Sequence, residues 1–346
     1  MKHVQTYYNE GVQATSGYVP REDPKCDNVD MTGKVVVITG ANSGLGKEVA
    51  TYVTSKGGKV YMLCRSVERA QSARNDIIKA ATGIDTTGNN NIDNSIDDRV
   101  NILSVDVGEL SSVRNVVKEL QQRESSIHCL VCNAGVLLNE QQNTVDEQLE
   151  STFASHLLGG TYLLTSLLLP QLQSTPDSRV VVVTSGGMLT TPLPSWDIMT
   201  SYTSTKPASS SPVPKNFKYD GTMAYAYAKR GQVVLVEEWS KLYANSDQPK
   251  FVTVHPGWTD TPAVADAFGD NAKYLQPLRE PWQGAEGVAW CTAVPTARLV
   301  SGALYLDRQV QKKHIAGPFM SEGSYTKNTP AEIQTYMENL KQAAGL

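Results

Sequence analysis

The sequence lacks an excess of positive charge, since its 346 residues carry a formal net charge of −4. Proteins that bind nucleic acid or anionic membranes use basic patches, so we expect neither partner. Long apolar runs are also absent, because no stretch approaches the roughly twenty residues that a membrane-spanning helix needs. The start of the chain has no apolar core of the kind found in a secretory signal. These absences predict a cytoplasmic protein with no integral membrane segment.

Cysteines are few, odd in number and scattered, at five positions of the chain. This usage argues for a reducing compartment and against a disulfide framework. Cys129 and Cys132 spell Cys-x-x-Cys, but they lie in an apolar run, 127–132, that is typical of a strand, where side chains three apart point to opposite faces. We expect no redox or metal chemistry at this pair, and the histidines show no metal-ligand spacing.

The most informative stretch that is present runs from Lys34 to Gly46. Its first part, 35–38, is an unbroken β-branched run, typical of a strand buried on both faces of a parallel sheet. A helix-compatible stretch begins at Lys47, and glycines separate it from the strand at Gly40, Gly44 and Gly46. This order is the context of a dinucleotide-binding turn, because glycines let a pyrophosphate approach the backbone and the helix N-terminus offers free N–H groups.

Strand and helix signals alternate along the chain, which predicts an α/β fold with a Rossmann-type, doubly wound parallel β-sheet and helices on both faces. We expect a single catalytic domain over 32–308, an N-terminal arm over 1–31 and a C-terminal extension over 309–346. Two polar stretches, 82–98 and 190–220, are predicted as insertions. The predicted strands are 35–38, 59–63, 100–105, 127–132, 179–184, 251–255 and 303–306. The predicted helices are 47–56, 67–81, 111–121, 145–172, 222–244, 283–293 and 331–343.

Polar residues gather where the predicted strands end, which is where ligands bind in this architecture. Tyr225 and Lys229 are four residues apart on a predicted helix, so their side chains share one face. A tyrosine, with a pKa of about 10, becomes a useful acid–base group when a neighbouring cation stabilises its phenolate, and Lys229 is placed to supply that cation. Ser185 follows the fifth strand and is placed to hold a substrate oxygen. Tyr227 is a rival in the same run, but Gly231 lies four residues beyond it.

The Tyr-x-x-x-Lys spacing alone is common, but other motifs accompany it in order. They are Thr39 to Gly46, Asp106, Asn133-Ala-Gly135, Ser185, Tyr225-x-x-x-Lys229 and Pro256-Gly257. With these motifs the chain resembles the short-chain dehydrogenase/reductase family over 34–308. Further stretches resemble one subgroup, which implies an oxidoreductase with a poorly defined substrate. These stretches are Ser185 to Leu189, Tyr219 to Arg230, His255 to Pro262, Ser301-Gly302 and Asp307-Arg308.

The resemblance implies a role for each matching residue. Tyr225 would be the general acid–base, Lys229 would lower its pKa and hold the nicotinamide ribose, and Ser185 would position the carbonyl or hydroxyl. His156 stands at the place of the fourth catalytic residue. The residues implied in cofactor binding are Gly40, Asn42, Ser43, Gly44, Leu45, Gly46, Arg65, Asp106, Val107, Asn133, Ala134, Gly135, Tyr225, Lys229, Pro256, Gly257, Thr259 and Thr261.

His156 departs from the family pattern, in which this place, three residues after Phe153, holds an asparagine that serves a proton relay through water. The nearby Gly159-Gly160 pair suggests that the match to the family pattern is shifted by one residue. Three interpretations stay open. The histidine relays protons itself, it is a packing residue and the relay is lost, or the alignment is shifted.

The expected cofactor is NADP(H) rather than NAD(H). A carboxylate about twenty residues past the glycine turn would bind the ribose hydroxyls of NAD and repel a 2′-phosphate, whereas an arginine there pairs with that phosphate. The second predicted strand leads into Cys64, Arg65 and Ser66, with no acid until Glu68. Arg65 therefore favours NADP. Additional hydrogen bonds to the phosphate could come from Asn42 or Ser43.

We expect hydride transfer between nicotinamide and a carbonyl or alcohol substrate of apolar character. The 190–220 insertion is either a lid, with Trp196, Tyr202 and Phe217 joining Trp258 in an apolar pocket, or a surface decoration. A catalytically weak NADPH-binding sensor is the alternative function, which His156 favours. A nucleotide-sugar epimerase or dehydratase is a third, for which the glycine spacing is unsuited. The resemblance also implies a homo-oligomer formed through the helix that bears Tyr225 and its neighbour.

Overall fold

The computed structural model describes residues 28–82, 98–200, 219–245, 248–314 and 326–346. The predictions for the N-terminal arm up to residue 27, for the 82–98 insertion and for most of the 190–220 insertion, Tyr202 and Phe217 included, lie outside these residues. The described residues cover most of the predicted domain over 32–308 and the C-terminal helix.

The described strands form one sheet, with seven parallel strands and an antiparallel eighth at one edge. The strands are β1 (Val35–Thr39), β2 (Lys59–Cys64), β3 (Val100–Ser104), β4 (Cys129–Cys132), β5 (Arg179–Val183), β6 (Lys250–Val254), β7 (Leu304–Leu306) and β8 (Gln309–Gln311). Their order across the sheet is β3-β2-β1-β4-β5-β6-β7-β8. Successive strands are added to one side of β1 as far as β3 and to its other side from β4 onward. This reversal of strand order opens a crevice at the carboxyl ends of β1 and β4.

Helices cover both faces of the sheet. They are α1 (Gly44–Ser55), α2 (Val67–Thr82), α3 (Leu110–Arg123), α4 (Ser151–Ser174), α5 (Trp196–Thr200), α6 (Gly221–Leu242), α7 (Pro262–Phe268), α8 (Pro281–Ala293) and α9 (Pro330–Ala343). Alternate residues of β1 enter different cores, with Val35 and Val37 in one hydrophobic cluster and Val36 and Ile38 in the other. This two-sided burial explains the unbroken β-branched run and confirms the doubly wound prediction.

The same two-sided burial separates the Cys-x-x-Cys pair. Cys129 lies in the cluster beneath one face of the sheet and Cys132 in the cluster beneath the other. Burial raises the pKa of each thiol to about 12. Both side chains therefore serve as small core residues, as the strand geometry predicts.

The boundaries of two helices differ from the predictions. Helix α1 begins at Gly44 rather than at Lys47, so two glycines of the turn form its first residues. Helix α4 begins at Ser151, not near 145, because the carboxylate of Glu150 accepts hydrogen bonds from the N–H groups of Thr152 and Phe153, at 2.9 and 2.6 Å. A side chain that caps the first turn fixes the start of a helix more strongly than apolar periodicity does.

The middle of α4 is a π-helix, Ala154–Leu163, between two α-helical ends. A π segment accommodates an extra residue within a helix. A side chain at Gly160 would overlap the carbonyl of Ser155, and one at Gly159 would overlap the carbonyl of Val107. Both glycines are therefore needed for the bulge and for its close approach to the loop after β3.

Three of the numbered helices and strands were not predicted. Helix α5 lies in the 190–220 insertion, helix α7 follows the 256–261 loop, and β8 pairs with β7 through a two-residue turn. Trp196 of α5 is half-buried. It packs edge-on against Phe153 with ring centroids 5.5 Å apart, and so joins the core.

Helix α4 is long and apolar enough to cross a membrane, but 83% of its most apolar window is buried inside the protein. Such burial is typical of the central helix of a packed domain.

Candidate active site

The glycine turn after β1 depends on close backbone packing. Gly40 and Gly44 have φ values of 67° and 50°, which favour glycine. A side chain at Gly46 would come within 2.5 Å of the carbonyl oxygen of Gly40 and 2.6 Å of the amide nitrogen of Asn133. The turn is thus packed so closely against itself and the end of β4 that Gly46 leaves no room for a side chain.

The N-terminus of α1 lies at this turn. Ser43 at its N-cap makes no side-chain capping bond, and the first turn has no acidic residue. The unpaired N–H groups and the positive end of the helix dipole suit an anionic diphosphate. Asn42 and Leu45 flank Ser43 in the turn, and Leu45 packs on the core beneath it. The residues present therefore fit the pyrophosphate of a dinucleotide.

Asn133 ties this turn to the end of β4. Its side-chain amide donates to the carbonyl of Thr39 at 3.0 Å, while the Thr39 hydroxyl accepts from the backbone N–H groups of Asn133 and Ala134, each at 2.9 Å. These bonds hold the two strand ends that border the crevice in a fixed relation.

Arg65 and Asp106 meet where β2 and β3 end. The guanidinium lies 3.6 Å from the carboxylate, and the Arg65 side chain is 69% exposed. Asp106 also accepts a hydrogen bond from the N–H of Gly108 at 2.9 Å, which sets the loop that contains Val107. An accessible arginine and a partly exposed carboxylate thus stand side by side at this end of the crevice.

Ser185 and Tyr225 come together on the other side of the crevice. Ser185 follows β5, Tyr225 lies in the second turn of α6, and their side chains are close enough for the Ser185 hydroxyl to oppose the rise in the Tyr225 pKa that burial causes. The Ser185 hydroxyl also accepts from the N–H of Gly187 at 3.3 Å. A side chain at Gly187 would begin 3.9 Å from the Tyr225 ring, which places this residue beside the tyrosine.

Lys229 lies one helical turn from Tyr225, as the spacing predicts. Its ammonium is 5.4 Å from the centroid of the tyrosine ring and donates to the carbonyl of Val183 at 2.8 Å. Only 3% of the residue is exposed. Burial lowers the pKa of Lys229 to about 7 from its ordinary value of 10.5.

The pKa of Tyr225 is raised from its ordinary value, because burial outweighs the opposing effect of the Ser185 hydroxyl. The lowering of this pKa by Lys229 stays a prediction. Burial disfavours the charged form of both groups, so each tends toward its neutral form. The structure therefore presents Tyr225 as a protonated phenol.

His156 packs against the edge of the Tyr225 ring, with centroids 5.3 Å apart and planes at 88°. Its Nε2 lies 2.9 Å from the backbone nitrogen of Val136 and 2.7 Å from the carbonyl oxygen of the same residue. A side chain at Gly135 would overlap the imidazole. Burial and the nearby Lys229 charge lower the pKa of His156 well below its ordinary value, so the ring is neutral.

The carbonyl of His156 is also occupied. It accepts a hydrogen bond from the hydroxyl of Thr161 at 2.6 Å and another from the amide of Gln232 at 2.8 Å. The π segment thus places both the ring and the carbonyl of this residue next to the helix that bears Tyr225.

The loop after β6 completes the crevice. Gly257 has a φ of 74°, the Thr259 hydroxyl donates to the carbonyl of Pro256 at 3.2 Å, and Thr261 caps α7. The Thr261 methyl lies 3.4 Å from where a side chain at Gly44 would begin. This loop therefore faces the glycine turn across the crevice.

Sequence reasoning missed the support beneath this loop. Arg279 is 1% exposed and forms a two-pronged ion pair with Asp307, at 2.6 and 2.9 Å. The pair of Asp307 and Arg308 was noted only for its resemblance to the subgroup. No pattern in the sequence connects position 279 to position 307.

One acidic group among the described residues is close enough to hold a cation: Glu109, Asp146 and Glu147. Two of its members are already used as backbone caps. Glu109 accepts from the N–H groups of Val145 and Asp146, and Glu147 accepts from that of Leu110. We interpret the group as a loop anchor.

An uncapped, glycine-lined helix N-terminus at the switch point of a doubly wound sheet is where proteins of this architecture bind dinucleotides, and the Ser185, Tyr225 and Lys229 group lies at the same edge. The comparisons with known proteins are more specific. The family model for short chain dehydrogenase matches residues 34–213. The chain belongs to this family, and it is an NAD(P)-dependent short-chain dehydrogenase/reductase.

Individual relatives support the assignment. The chain is 34% identical over 346 residues to human dehydrogenase/reductase SDR family member 12. The alignment covers 99% of this chain and 95% of the relative. This is the subgroup that the sequence motifs indicate, so that prediction is confirmed. Mouse retinol dehydrogenase 11 is 26% identical over 82% of this chain and 80% of its own. The crystal structure of levodione reductase superposes with a TM-score of 0.59 at 19% identity, covering 79% of this chain and 95% of that one, which supports the fold.

Proposed function

We propose that the protein is an NADP-dependent oxidoreductase that interconverts a carbonyl and an alcohol, with Tyr225 as its general acid–base. The observation that carries this proposal is the close approach of Ser185 and Tyr225 beside Lys229, on the same sheet edge as the uncapped glycine turn. When bound, the cofactor supplies or accepts the hydride. The protein's own residues bind, orient and move the proton.

We propose the following residues for the parts of the cofactor. Gly40, Gly44 and Gly46, with the N–H groups around Asn42, Ser43 and Leu45, would hold the pyrophosphate. Asp106 and Val107 would border the adenine. The adenosine ribose would lie by Asn133, Ala134 and Gly135. The nicotinamide side would be held by Lys229, Pro256, Gly257, Thr259 and Thr261.

The protonation states support proton transfer from Tyr225 to a carbonyl oxygen. The phenol is protonated because burial raises its pKa, and Ser185 is placed to hold the same substrate oxygen. A positioned acid of this kind contributes roughly 10²- to 10⁴-fold to a rate. For oxidation of an alcohol, Tyr225 must first lose its own proton. A charged Lys229 beside it would favour this loss.

Arg65 supports the preference for NADP over NAD. Its guanidinium is accessible where β2 ends, at the position where an NAD-binding turn carries a carboxylate. Arg65 and a 2′-phosphate would form charge-assisted hydrogen bonds. Asp106, 3.6 Å away, partly neutralises the arginine and so limits the gain.

We propose that His156 contributes to catalysis as a neutral group. It bonds to the backbone of Val136, next to the implied ribose site, and packs on Tyr225. It therefore joins the acid–base tyrosine to the loop after β4. Because its ring stays neutral, His156 can relay a proton only if it accepts one proton and releases another at the same time.

The substrate class that we favour is an apolar carbonyl or alcohol. One relative, retinol dehydrogenase 11, has an apolar alcohol in its name. The sensor alternative is not favoured, because Ser185, Tyr225 and Lys229 are all in place and the relatives are dehydrogenases and reductases.

The experiment that tests this function is a fluorescence titration with NADPH and NADH, followed by a panel of apolar aldehydes and ketones scored for NADPH oxidation. We expect tighter binding of NADPH and turnover of at least one carbonyl. Failure to bind either dinucleotide would contradict the proposal, and binding without turnover would restore the sensor.

The homo-oligomer stays a prediction. The outer side of α6 next to α4 is covered by the chain's own C-terminal helix, since Tyr336 of α9 packs against Gly231 and Leu340 is fully buried. Arg230, also fully buried, donates to the carbonyls of Lys313 and Thr326 and anchors the segments that lead to α9. An oligomer through this helix pair would therefore have to displace or include α9.

A further inference from the structure

The turn between β7 and β8 has an unusual backbone. It consists of Asp307 and Arg308, with φ values of 50° and 61°. Two-residue hairpins of this kind prefer asparagine, aspartate or glycine first and glycine second, so Arg308 is the unusual residue. Leu306 pairs with Gln309 across it. A left-handed conformation in two successive non-glycine residues is costly, so surrounding contacts must hold it in place.

Both side chains of the turn form ion pairs in the interior. Arg308 pairs with Glu286 of α8, and only 14% and 6% of these side chains are exposed. Asp307 pairs with Arg279, of which 1% is exposed. Both partners precede the turn in the chain. Glu286 lies within α8, and Arg279 lies in the loop just before α8.

The Arg279 guanidinium lies directly beneath the loop after β6. A side chain at Gly257 would come within 2.5 Å of its Nε atom, so this glycine rests on the arginine. The Nη1 atom also donates to the carbonyl of Pro256 at 3.4 Å. The arginine that Asp307 holds therefore forms the floor under two loop residues.

The backbone of Arg279 fixes the next part of the same loop. Its N–H donates to the carbonyl of Trp258 at 2.8 Å, and its own carbonyl accepts from the N–H of Asp260 at 2.9 Å. Residues 256–260 are thus held through one residue, by its side chain and by its backbone. They belong to the segment that we assign to the nicotinamide side of the cofactor.

We propose that the Asp307–Arg279 ion pair is a positioning element for cofactor binding, which holds the 256–261 loop in its binding conformation without itself touching the cofactor. The inference rests on the proposed NADP-dependent function. A loop that is already held in shape loses less conformational entropy on binding, so releasing it weakens affinity. The Arg308–Glu286 pair is the natural control, because it braces the same turn against α8 instead.

The test compares Asp307→Asn with Glu286→Gln in the full-length protein. Each change is nearly isosteric and leaves a buried arginine without its carboxylate, so both should lower the melting temperature. NADPH affinity is then measured by fluorescence titration. We expect Asp307→Asn to raise the Kd about tenfold and Glu286→Gln to leave it within about twofold of wild type.

Arg279→Lys provides a second variant if Asp307→Asn does not fold. It keeps a positive charge beside Asp307 but loses the two-pronged geometry and the contact with Pro256, so it should also weaken NADPH binding. Equal Kd values in all variants, or an equal rise in the Glu286→Gln control, would overturn the inference. A wild-type protein that binds no dinucleotide would instead refute the proposed function, and with it the reason for the positioning.

Discussion

The buried ammonium of Lys229 should make the stability of the fold depend on pH. Burial lowers its pKa to about 7 in the folded protein, from an ordinary value of 10.5 that applies to the unfolded chain. Between these values the unfolded chain binds more protons than the folded protein, so stability rises with pH. The stability gained from the neutral amine is fully present above the pKa of the unfolded chain. It is lost as the pH falls through the pKa of the folded protein.

The size of the effect follows from these two pKa values. Each unit of difference corresponds to about 1.4 kcal/mol, so the free energy of unfolding should rise by about 3 kcal/mol between about pH 7 and about pH 9.5 because of this residue. Other groups titrate in the same range. The measurement therefore compares the wild type with Lys229→Met, which keeps most of the side-chain volume but cannot be charged.

The assay is urea unfolding at several pH values in this window. The difference in stability between Lys229→Met and the wild type should favour the variant most at about pH 7 and should shrink by about 3 kcal/mol toward about pH 9.5. Lys241→Met is the control, because Lys241 lies on the same helix with 67% of its side chain exposed. A constant difference for Lys229→Met across the window would refute the argument that its charge is desolvated.

Three further predictions concern the cofactor, the relay and the assembly. Arg65→Ala should weaken NADPH binding about tenfold and leave NADH binding within about twofold, because only NADPH carries a 2′-phosphate. Fluorescence titration measures both affinities, and an equal loss for the two dinucleotides would contradict the prediction. His156→Asn should retain turnover within a few-fold and His156→Leu should lose more than about tenfold, because the site needs a neutral polar group; equal activity in the two variants would show that the residue only packs. Sedimentation velocity at micromolar concentrations should show self-association of the full chain, and a single monomer boundary throughout would reject it.

Local patterns predicted the parts of the site that local structure determines. The β-branched run and the glycine turn led directly to β1, α1 and the crevice, because two-sided burial and tight turns each restrict the residue type. The four-residue spacing placed Tyr225 and Lys229 on one face of α6. Family resemblance added Asn133, whose bonds to Thr39 hold the two strand ends together.

The remainder depends on contacts between distant residues. Nothing near position 145 shows that a capping carboxylate at Glu150 delays the start of α4. The raised pKa of Tyr225 results from burial, which a sequence does not display. The partnership of Arg279 with Asp307 spans 28 positions and becomes visible only when β7 and the 256–261 loop are placed side by side.

The measurement that tests the central claim most directly compares Tyr225→Phe with Tyr227→Phe. Both remove one hydroxyl from the same helix, but only Tyr225 lies beside Ser185 and Lys229. With a carbonyl that the wild type reduces, Tyr225→Phe should lose at least about 10²-fold in turnover while it still binds NADPH, and Tyr227→Phe should stay near wild type. Equal turnover in the two variants would contradict the assignment of Tyr225 as the acid–base and the mechanism built on it.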